Sequence, residues 1–403
     1  MPGVDRSRPF AVGVLGASGY TGRLVVERLR AARPDWKLVV FGRRPQHLRA
    51  AFQTTNVDVY AEPVDVDAPA SLVGAFSQAS VVIACAGPFS TLGEPVVRAC
   101  IATRTHYVDI TGEVDYMRSL IDQFSRAPIL IVPACGYDSV PSDLAVLYAA
   151  KQLHAPLKRA RIAVSMRGSV SGGTFRTFID TLSKASQQQD AVLSDPFALN
   201  AADDPVKAPG SSFSAFESDN VPVEYDASSG LWTGPSAMAP INTRVVRRTA
   251  SLSRCRGALS DAYAKEFEYR EVQASTSRLA AMLPKALTAI KPALQFLFSW
   301  APVKRLVSYL APTGANETAR ARNWFAYKVD AETSDGSHAT LHLKGPDPYV
   351  ATAETVALAA VCIVENGGKV MQRVGAGGVY TPAFALGHEY LQLLMKSPVL
   401  QFS

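Results

Sequence analysis

Cysteine is scarce and unpaired in this sequence: Cys85, Cys100, Cys135, Cys255 and Cys362 are an odd set of five in 403 residues, with no CxxC spacing. That excludes a disulfide framework and predicts reduced thiols in an intracellular compartment. The opening MPGVDRSRPF is too polar for the apolar region of a signal peptide, so a cytoplasmic protein is expected. Internal repeats and low-complexity blocks are absent. A basic stripe over a whole domain is absent too. The surplus of +6 arises entirely in residues 1–60, with ten basic against four acidic residues, and residues 61–403 balance at 31 against 31. This distribution argues against a nucleic-acid binder, which would carry its positive charge across a domain.

Familiar catalytic devices are also missing. No Tyr-x-x-x-Lys pair occurs, so the tyrosine–lysine proton donor of short-chain dehydrogenases is unavailable. The G-x-S-x-G elbow has only a near miss, Gly168-Ser-Val-Ser171-Gly172, with the serine one place off. His338 and His342 are four apart on an expected strand, which separates their backbones by about 13 Å. With no Cys or carboxylate cluster to join them, no metal is expected.

What is present reads as a globular, multi-domain chain: 48% hydrophobic and 19% charged residues, and length for two or three domains. Strands are predicted near 10–15, 37–41, 59–64, 80–85, 106–109 and 129–132, with helices between them. Such alternation means βαβ units and a parallel sheet. Apolar runs such as Val81-Val82-Ile83-Ala84 fit strands buried on both faces. Beyond about 155 the pattern changes. Residues 158–167, 323–333 and 338–344 alternate like half-buried strands, and the last two flank Asp335-Gly336, a hairpin signal. Residues 194–240 read as long loops. Helices are expected near 352–365 and 384–396.

The first strand runs into Gly16-Ala-Ser18-Gly19-Tyr20-Thr21-Gly22 at a strand-to-helix turn. Glycines there let the backbone approach a dinucleotide pyrophosphate, whose charge rests on the helix N-terminus. An NAD-preferring site would place an acid about 20 residues further on. This chain has Phe41-Gly42-Arg43-Arg44 instead. Two guanidiniums stand where a 2′-phosphate would lie, so NADP is the expected cofactor.

The string GASGYTG also resembles one in N-acetylglutamyl-phosphate and aspartate-semialdehyde reductases, which use a nucleophilic cysteine with a histidine partner. Cys135 follows the last predicted strand, but no histidine sits in a partner motif. Cys135 is expected to be structural.

Other segments are more specific. Cys85-Ala-Gly-Pro-Phe89, Leu92-Gly-Glu-Pro95, His106-Tyr-Val-Asp109-Ile-Thr-Gly-Glu113, Gly136-Tyr-Asp-Ser-Val-Pro-Ser-Asp143, Ser171-Gly-Gly-Thr174 and Gly377-Gly-Val-Tyr-Thr-Pro-Ala383 together resemble the saccharopine dehydrogenase-like oxidoreductase family. The likeness is greatest to its branch with trans-acting enoyl reductases, and it runs from about residue 12 to 390. The resemblance implies an α/β protein: an N-terminal Rossmann doubly wound parallel sheet with an inserted α/β domain carrying a mixed sheet. The expected limits are 1–150 for the NADP-binding domain, 151–350 for the insertion, and 351–403 for helices returning to the first domain. By position, Gly16, Ser18, Gly19, Tyr20 and Thr21 would line the pyrophosphate, and Arg43 and Arg44 the ribose phosphate. Asp65 would sit near adenine, and Ala86, Gly87 and Pro88 would border the nicotinamide. Tyr137, Asp138 and Ser139, with the loop Ser171-Gly172-Gly173-Thr174, are candidates for the substrate pocket. No catalytic residue carries over. A homodimer through the second domain follows from family analogy alone.

One stretch stands apart. Residues 272–316 contain no acid but hold Arg278, Lys285, Lys291, Lys304 and Arg305 around an apolar interior. Either 278–311 is a buried helix pair, or it meets lipid or an acyl chain. The second reading would make the protein peripheral to membranes or lipid droplets. The leading functional reading is an NADPH-dependent oxidoreductase delivering hydride to a hydrophobic or carrier-bound enoyl substrate. Saccharopine-type amino-acid chemistry and a non-catalytic NADP(H) sensor or lipid-associated protein remain as alternatives.

Overall fold

Phe10–Leu15 (β1) begins a parallel sheet with Leu38–Phe41 (β2), Asp58–Val59 (β3), Ala79–Ala84 (β4), His106–Asp109 (β5) and Leu130–Val132 (β6). The computed structural model describes residues 5, 7–168, 187–300, 303 and 317–403. These form two units, Met1–Val140 with Tyr349–Val399, and Pro141–Pro348 with Leu400–Ser403. The first unit therefore ends at 140 rather than 150. The last four residues belong to the second unit, because Gln401–Phe402 pairs there as a strand.

In the first unit the strands lie in the order 3-2-1-4-5-6, and Gly378–Val379 from the C-terminal segment adds a seventh beside β6. All six residues of β4 and all four of β2 are buried, as expected where helices cover both faces of a parallel sheet. Tyr20–Ala32 (α1), Pro45–Phe52 (α2), Pro69–Phe76 (α3), Phe89–Thr103 (α4) and Val114–Phe124 (α5) make the crossovers. Pro45 and Pro69 stand in the first turns of α2 and α3, where a missing amide hydrogen costs nothing. The strand expected over 59–64 is reduced to two residues. Beyond it the Tyr60 and Val64 amides reach the carbonyls of Val40 and Gly42, each at 3.1 Å. The Gly42 carbonyl is thus met four residues after Tyr60 rather than two, so the chain bulges over 61–63 and regular pairing stops.

The second unit carries a mixed sheet. Its central strands Leu157–Arg167 (β7) and Tyr263–Ser275 (β10) are parallel. Outside β10 lie Leu231–Pro235 (β9) and Glu224–Asp226 (β8), each antiparallel to its neighbour. On the other side Trp324–Thr333 (β11) and His338–Gly345 (β12) form the expected hairpin, with Gly336 at φ +87° in its turn. The helix Ala239–Arg256 and strand β10 were not foreseen. Every residue of that helix from Ile241 to Ser253 is buried, including Arg244, Arg247 and Arg248. Its Thr, Ser and Arg content hides the apolar period that would reveal it. Arg247 donates to the carbonyls of Pro196 (3.2 Å), Glu217 (2.6 Å) and Tyr269 (2.9 Å). Arg248 donates to that of Leu199 and Arg244 to that of Leu193. The irregular segment before the helix is thus held by guanidiniums bonded to its backbone, which has no ladder of its own.

Candidate functional site

Strand order reverses between β1 and β4, and in open α/β sheets ligands bind outside the carboxyl ends of the strands at such a point. Here the two strand ends touch. The Cys85 amide donates to the Leu15 carbonyl at 2.9 Å. Gly16 takes φ +84°, and a Cβ on it would stand 3.0 Å from the Ala86 nitrogen. A Cβ on Gly22 would lie 2.3 Å from the Gly16 carbonyl oxygen, so α1 packs onto the turn only without a side chain there. Gly19 is the N-cap residue of α1, no side chain caps it, and the first turn holds no acid. The orphan amides of that turn carry partial positive charge with no side-chain oxygen answering it. Ser18 and Gly19 are exposed, and Tyr20 and Thr21 are half-buried. The Tyr20 ring meets Tyr349 edge-on at 5.3 Å.

Arg43 and Arg44 follow β2 and are exposed. The Arg44 carbonyl accepts the His47 and Leu48 amides at the start of α2. Among the described residues neither guanidinium has an ion pair or hydrogen bond. Two other arginines of the first 60 residues are committed elsewhere: Arg33 holds Glu365 through two bonds, at 2.5 and 2.7 Å, and Arg8 donates to the carbonyls of Phe76, Ala79 and Thr103. The Val64-to-Gly42 bond brings Asp65 alongside Arg43 in chain register. Asp65 accepts the Asp67 amide at 3.3 Å and its own amide donates to Ser71 Oγ at 3.0 Å, a turn that opens α3.

Two acids brace the next part of this edge. Buried Asp109, ending β5, accepts the Thr111 and Ala134 amides at 3.0 and 2.9 Å on one oxygen and the Tyr107 hydroxyl at 2.8 Å on the other. Its carbonyl accepts the Cys135 amide at 2.8 Å. Burial pushes its carboxyl up to about 6, against the downward pull of those hydrogen bonds. Glu113, also buried, accepts the Phe89 and Ser90 amides at 2.7 and 2.9 Å. It caps α4 immediately after Ala86-Gly87-Pro88. The segment 106–113 therefore shapes the loops after β4 and β6. Sequence reasoning used it only as a family marker. The available signal was a pair of acids closing a short apolar strand with no basic residue beside them.

After β6 come Tyr137, Asp138 and Ser139. Tyr137 is buried and its amide donates to Thr352 Oγ1 at 3.0 Å. Asp138 is half-buried, and a Cβ on Gly112 would come 3.4 Å from its Oδ2. Ser139 Oγ is buried with no hydrogen-bond partner among the described residues. Cys135 is fully buried and its thiol donates to the Val132 carbonyl at 3.2 Å, a structural environment. Burial, then the charge of Asp109, pushes the Cys85 thiol up to about 12, far from a thiolate nucleophile. Ser171, Gly172, Gly173 and Thr174 lie outside the described residues. From Arg43 after β2 to Ser139 after β6, the site residues share one edge of the sheet, about 19 Å across at the usual strand spacing.

A cavity of about 460 Å³ lies at the opposite, amino edge, lined by Arg8, Thr103, Arg104 and His106 among others. Arg8 is already spent on carbonyls, and burial, with Arg8 nearby, lowers the His106 pKa to about 4. The chemistry is not there.

A 3-2-1-4-5-6 parallel sheet with a glycine turn at its switch point is the architecture of a dinucleotide-binding domain. Residues 12–132 match the family model described as the saccharopine dehydrogenase NADP binding domain. A Mycobacterium tuberculosis protein named for trans-acting enoyl reductase activity is 31% identical over 413 aligned residues, covering 96% of each chain. The trans-acting enoyl reductase of Mycobacterium ulcerans is 29% identical, covering 98% of this chain and 97% of the relative. Among solved structures, the L-glutamate-forming saccharopine dehydrogenase of Saccharomyces cerevisiae superposes with a TM-score of 0.54. It covers 98% of this chain and 99% of its own at 13% identity, a likeness of fold. The chain belongs to the saccharopine dehydrogenase-like oxidoreductase family, and its first domain is that family's NADP-binding domain.

Proposed function

We propose that the protein is an NADPH-dependent reductase acting on the carbon–carbon double bond of a hydrophobic or carrier-bound enoyl substrate. The observation that carries this reading is the end-to-end 31% identity with a relative named for that activity. The geometry of the carboxyl edge is compatible with it.

When bound, NADPH supplies a hydride from its nicotinamide ring. The residues at Gly16, Ser18, Gly19, Tyr20 and Thr21 would hold the pyrophosphate on the uncapped first turn of α1. Arg43 and Arg44, both without side-chain partners, would take the 2′-phosphate, and Asp65 would stand at the adenine end. Ala86, Gly87 and Pro88 would border the nicotinamide, in a loop whose exit Glu113 fixes. Tyr137, Asp138 and Ser139 would form the substrate end, where the unpartnered Ser139 hydroxyl is available to a polar group of the ligand.

The test has two arms. Fluorescence titration should give tighter binding of NADPH than of NADH, and Arg43→Asp should erase about tenfold or more of that preference, the value of a charge-assisted bond. Equal affinities would overturn the cofactor assignment. Rapid mixing of the NADPH complex with enoyl thioesters and with imines should oxidise the cofactor with the thioesters. Turnover with imines alone would place the chemistry with amino acids instead.

A further inference from the structure

The helix Arg278–Ser299 of the second unit turns its apolar side outward. It is seated on β9 through Ala281, which is fully buried and whose carbonyl oxygen lies 2.4 Å from where a Cβ on Gly234 would stand. At about 100° per residue, Ala281 falls about 160° from Leu279. The exposed Leu279, Leu283, Leu287, Ile290, Phe296 and Leu297 all lie within about 100° of Leu279. Leu279 is 80% exposed and Phe296 is 72% exposed, and Trp300, just past the helix, is 62% exposed. Phe298, buried, sits at the margin of this arc. A surface helix ordinarily lays its apolar stripe on the core and its polar stripe in water. Here Ala281 anchors the first turns from the side opposite Leu279, residues 285–290 are exposed all round, and the apolar arc lies in water.

We propose that this arc docks on the surface of an anionic lipid bilayer, with the helix lying in the interface. Charge selects that occupant. Positions 285 and 291, both lysine, fall about 120° to either side of Leu279. By helix position these two basic residues lie on the margins of the arc, the places that face headgroups when an amphipathic helix lies in an interface. Arg278 stands over the Trp232 ring at 5.4 Å on the same margin. No acid occurs between 272 and 316. A second copy of the chain is the poorer occupant. Leu283, Leu287, Ile290, Leu294 and Leu297 have coiled-coil spacing, but two such helices would oppose lysines with no acid to answer them. Crossing the bilayer is disfavoured by Lys285, Lys291 and the prolines 284 and 292 inside the helix. The inference does not depend on the reaction catalysed.

Flotation of the full chain with vesicles of equal parts phosphatidylcholine and phosphatidylglycerol tests it. The protein should float with these and at least about tenfold less with phosphatidylcholine alone, since each basic residue at an anionic surface is worth about fivefold in partitioning. Lys285→Glu with Lys291→Glu should lower partitioning by about tenfold or more. Leu283→Gln, Ile290→Gln and Leu297→Gln together should abolish it, and because these side chains are exposed, thermal melting and NADPH affinity should not move. In the unaltered chain, tryptophan emission should shift to the blue on adding the anionic vesicles, and Trp300→Phe should remove most of the shift. Failure to float with anionic vesicles, or undiminished flotation of the triple variant, overturns the proposal. So does lipid-independent self-association that the triple variant abolishes, without vesicle binding.

Discussion

Glu113 accepts the Phe89 amide hydrogen at 2.7 Å across 24 residues of chain, and the neighbouring Ser90 amide at 2.9 Å. A buried carboxylate thus replaces the missing local cap of α4 and fixes the exit of the loop Ala86-Gly87-Pro88. Glu113→Ala leaves the buried Phe89 amide and the partly buried Ser90 amide without their acceptor, a cost of about 1–3 kcal/mol. NADPH affinity should fall as well, because the loop it anchors borders the proposed nicotinamide site. Glu113→Gln keeps one acceptor oxygen and should lose less on both counts. Melting curves and cofactor titration of the three proteins check this. An unchanged Kd in Glu113→Ala would show that the loop holds its shape unaided.

Asp109 makes stability depend on pH with a definite sign. Its carboxyl is raised in the folded state from 3.8 to about 6, so the folded protein binds that proton more tightly than the unfolded chain. The contribution is full below about pH 4 and is lost as pH rises through 6. A shift of about two units corresponds to about 3 kcal/mol. Asp109→Asn cannot ionise, so its stability relative to the parent should rise between pH 4 and 6 by up to about that amount. Urea melts at several pH values measure the difference. A constant difference across this range would mean that Asp109 titrates normally.

The guanidinium of Arg247 serves three carbonyls, those of Pro196, Glu217 and Tyr269. Arg247→Met should destabilise the second unit by about 3–5 kcal/mol, as expected when buried acceptors lose a charged donor. Arg247→Lys should rescue little, since one ammonium cannot match the planar fork. Urea unfolding gives the magnitude, and limited proteolysis between 196 and 219 reports whether that segment is released first. A loss under about 1 kcal/mol would assign the segment's order to its apolar contacts.

The βαβ series and the glycine turn were legible because each is local. An apolar run of four to six residues declares a buried strand, and Gly16 and Gly22 declare a backbone crowded against its own turn. The hairpin at Gly336 was legible for the same reason. The helix Ala239–Arg256 was not, because it is buried on all sides and Arg, Thr and Ser are interleaved with its apolar residues, the arginines meeting carbonyls elsewhere in the chain. The two-residue strand at Asp58–Val59 shows the opposite failure, a β-like pattern whose pairing breaks where the chain bulges between Tyr60 and Val64.

The order of elements and the glycine turn at Gly16–Gly22 were set by the sequence alone, since they depend on near neighbours and on steric limits of single residues. Tertiary structure decided what the acids do: Glu113 meets Phe89, Asp109 meets Ala134, and neither bond has any trace in local spacing. It also decided which side of the helix Arg278–Ser299 faces out, because an apolar arc reads the same in sequence whether it lies on a core or away from one. Burial is a property of what a segment packs against, and only the folded chain supplies that.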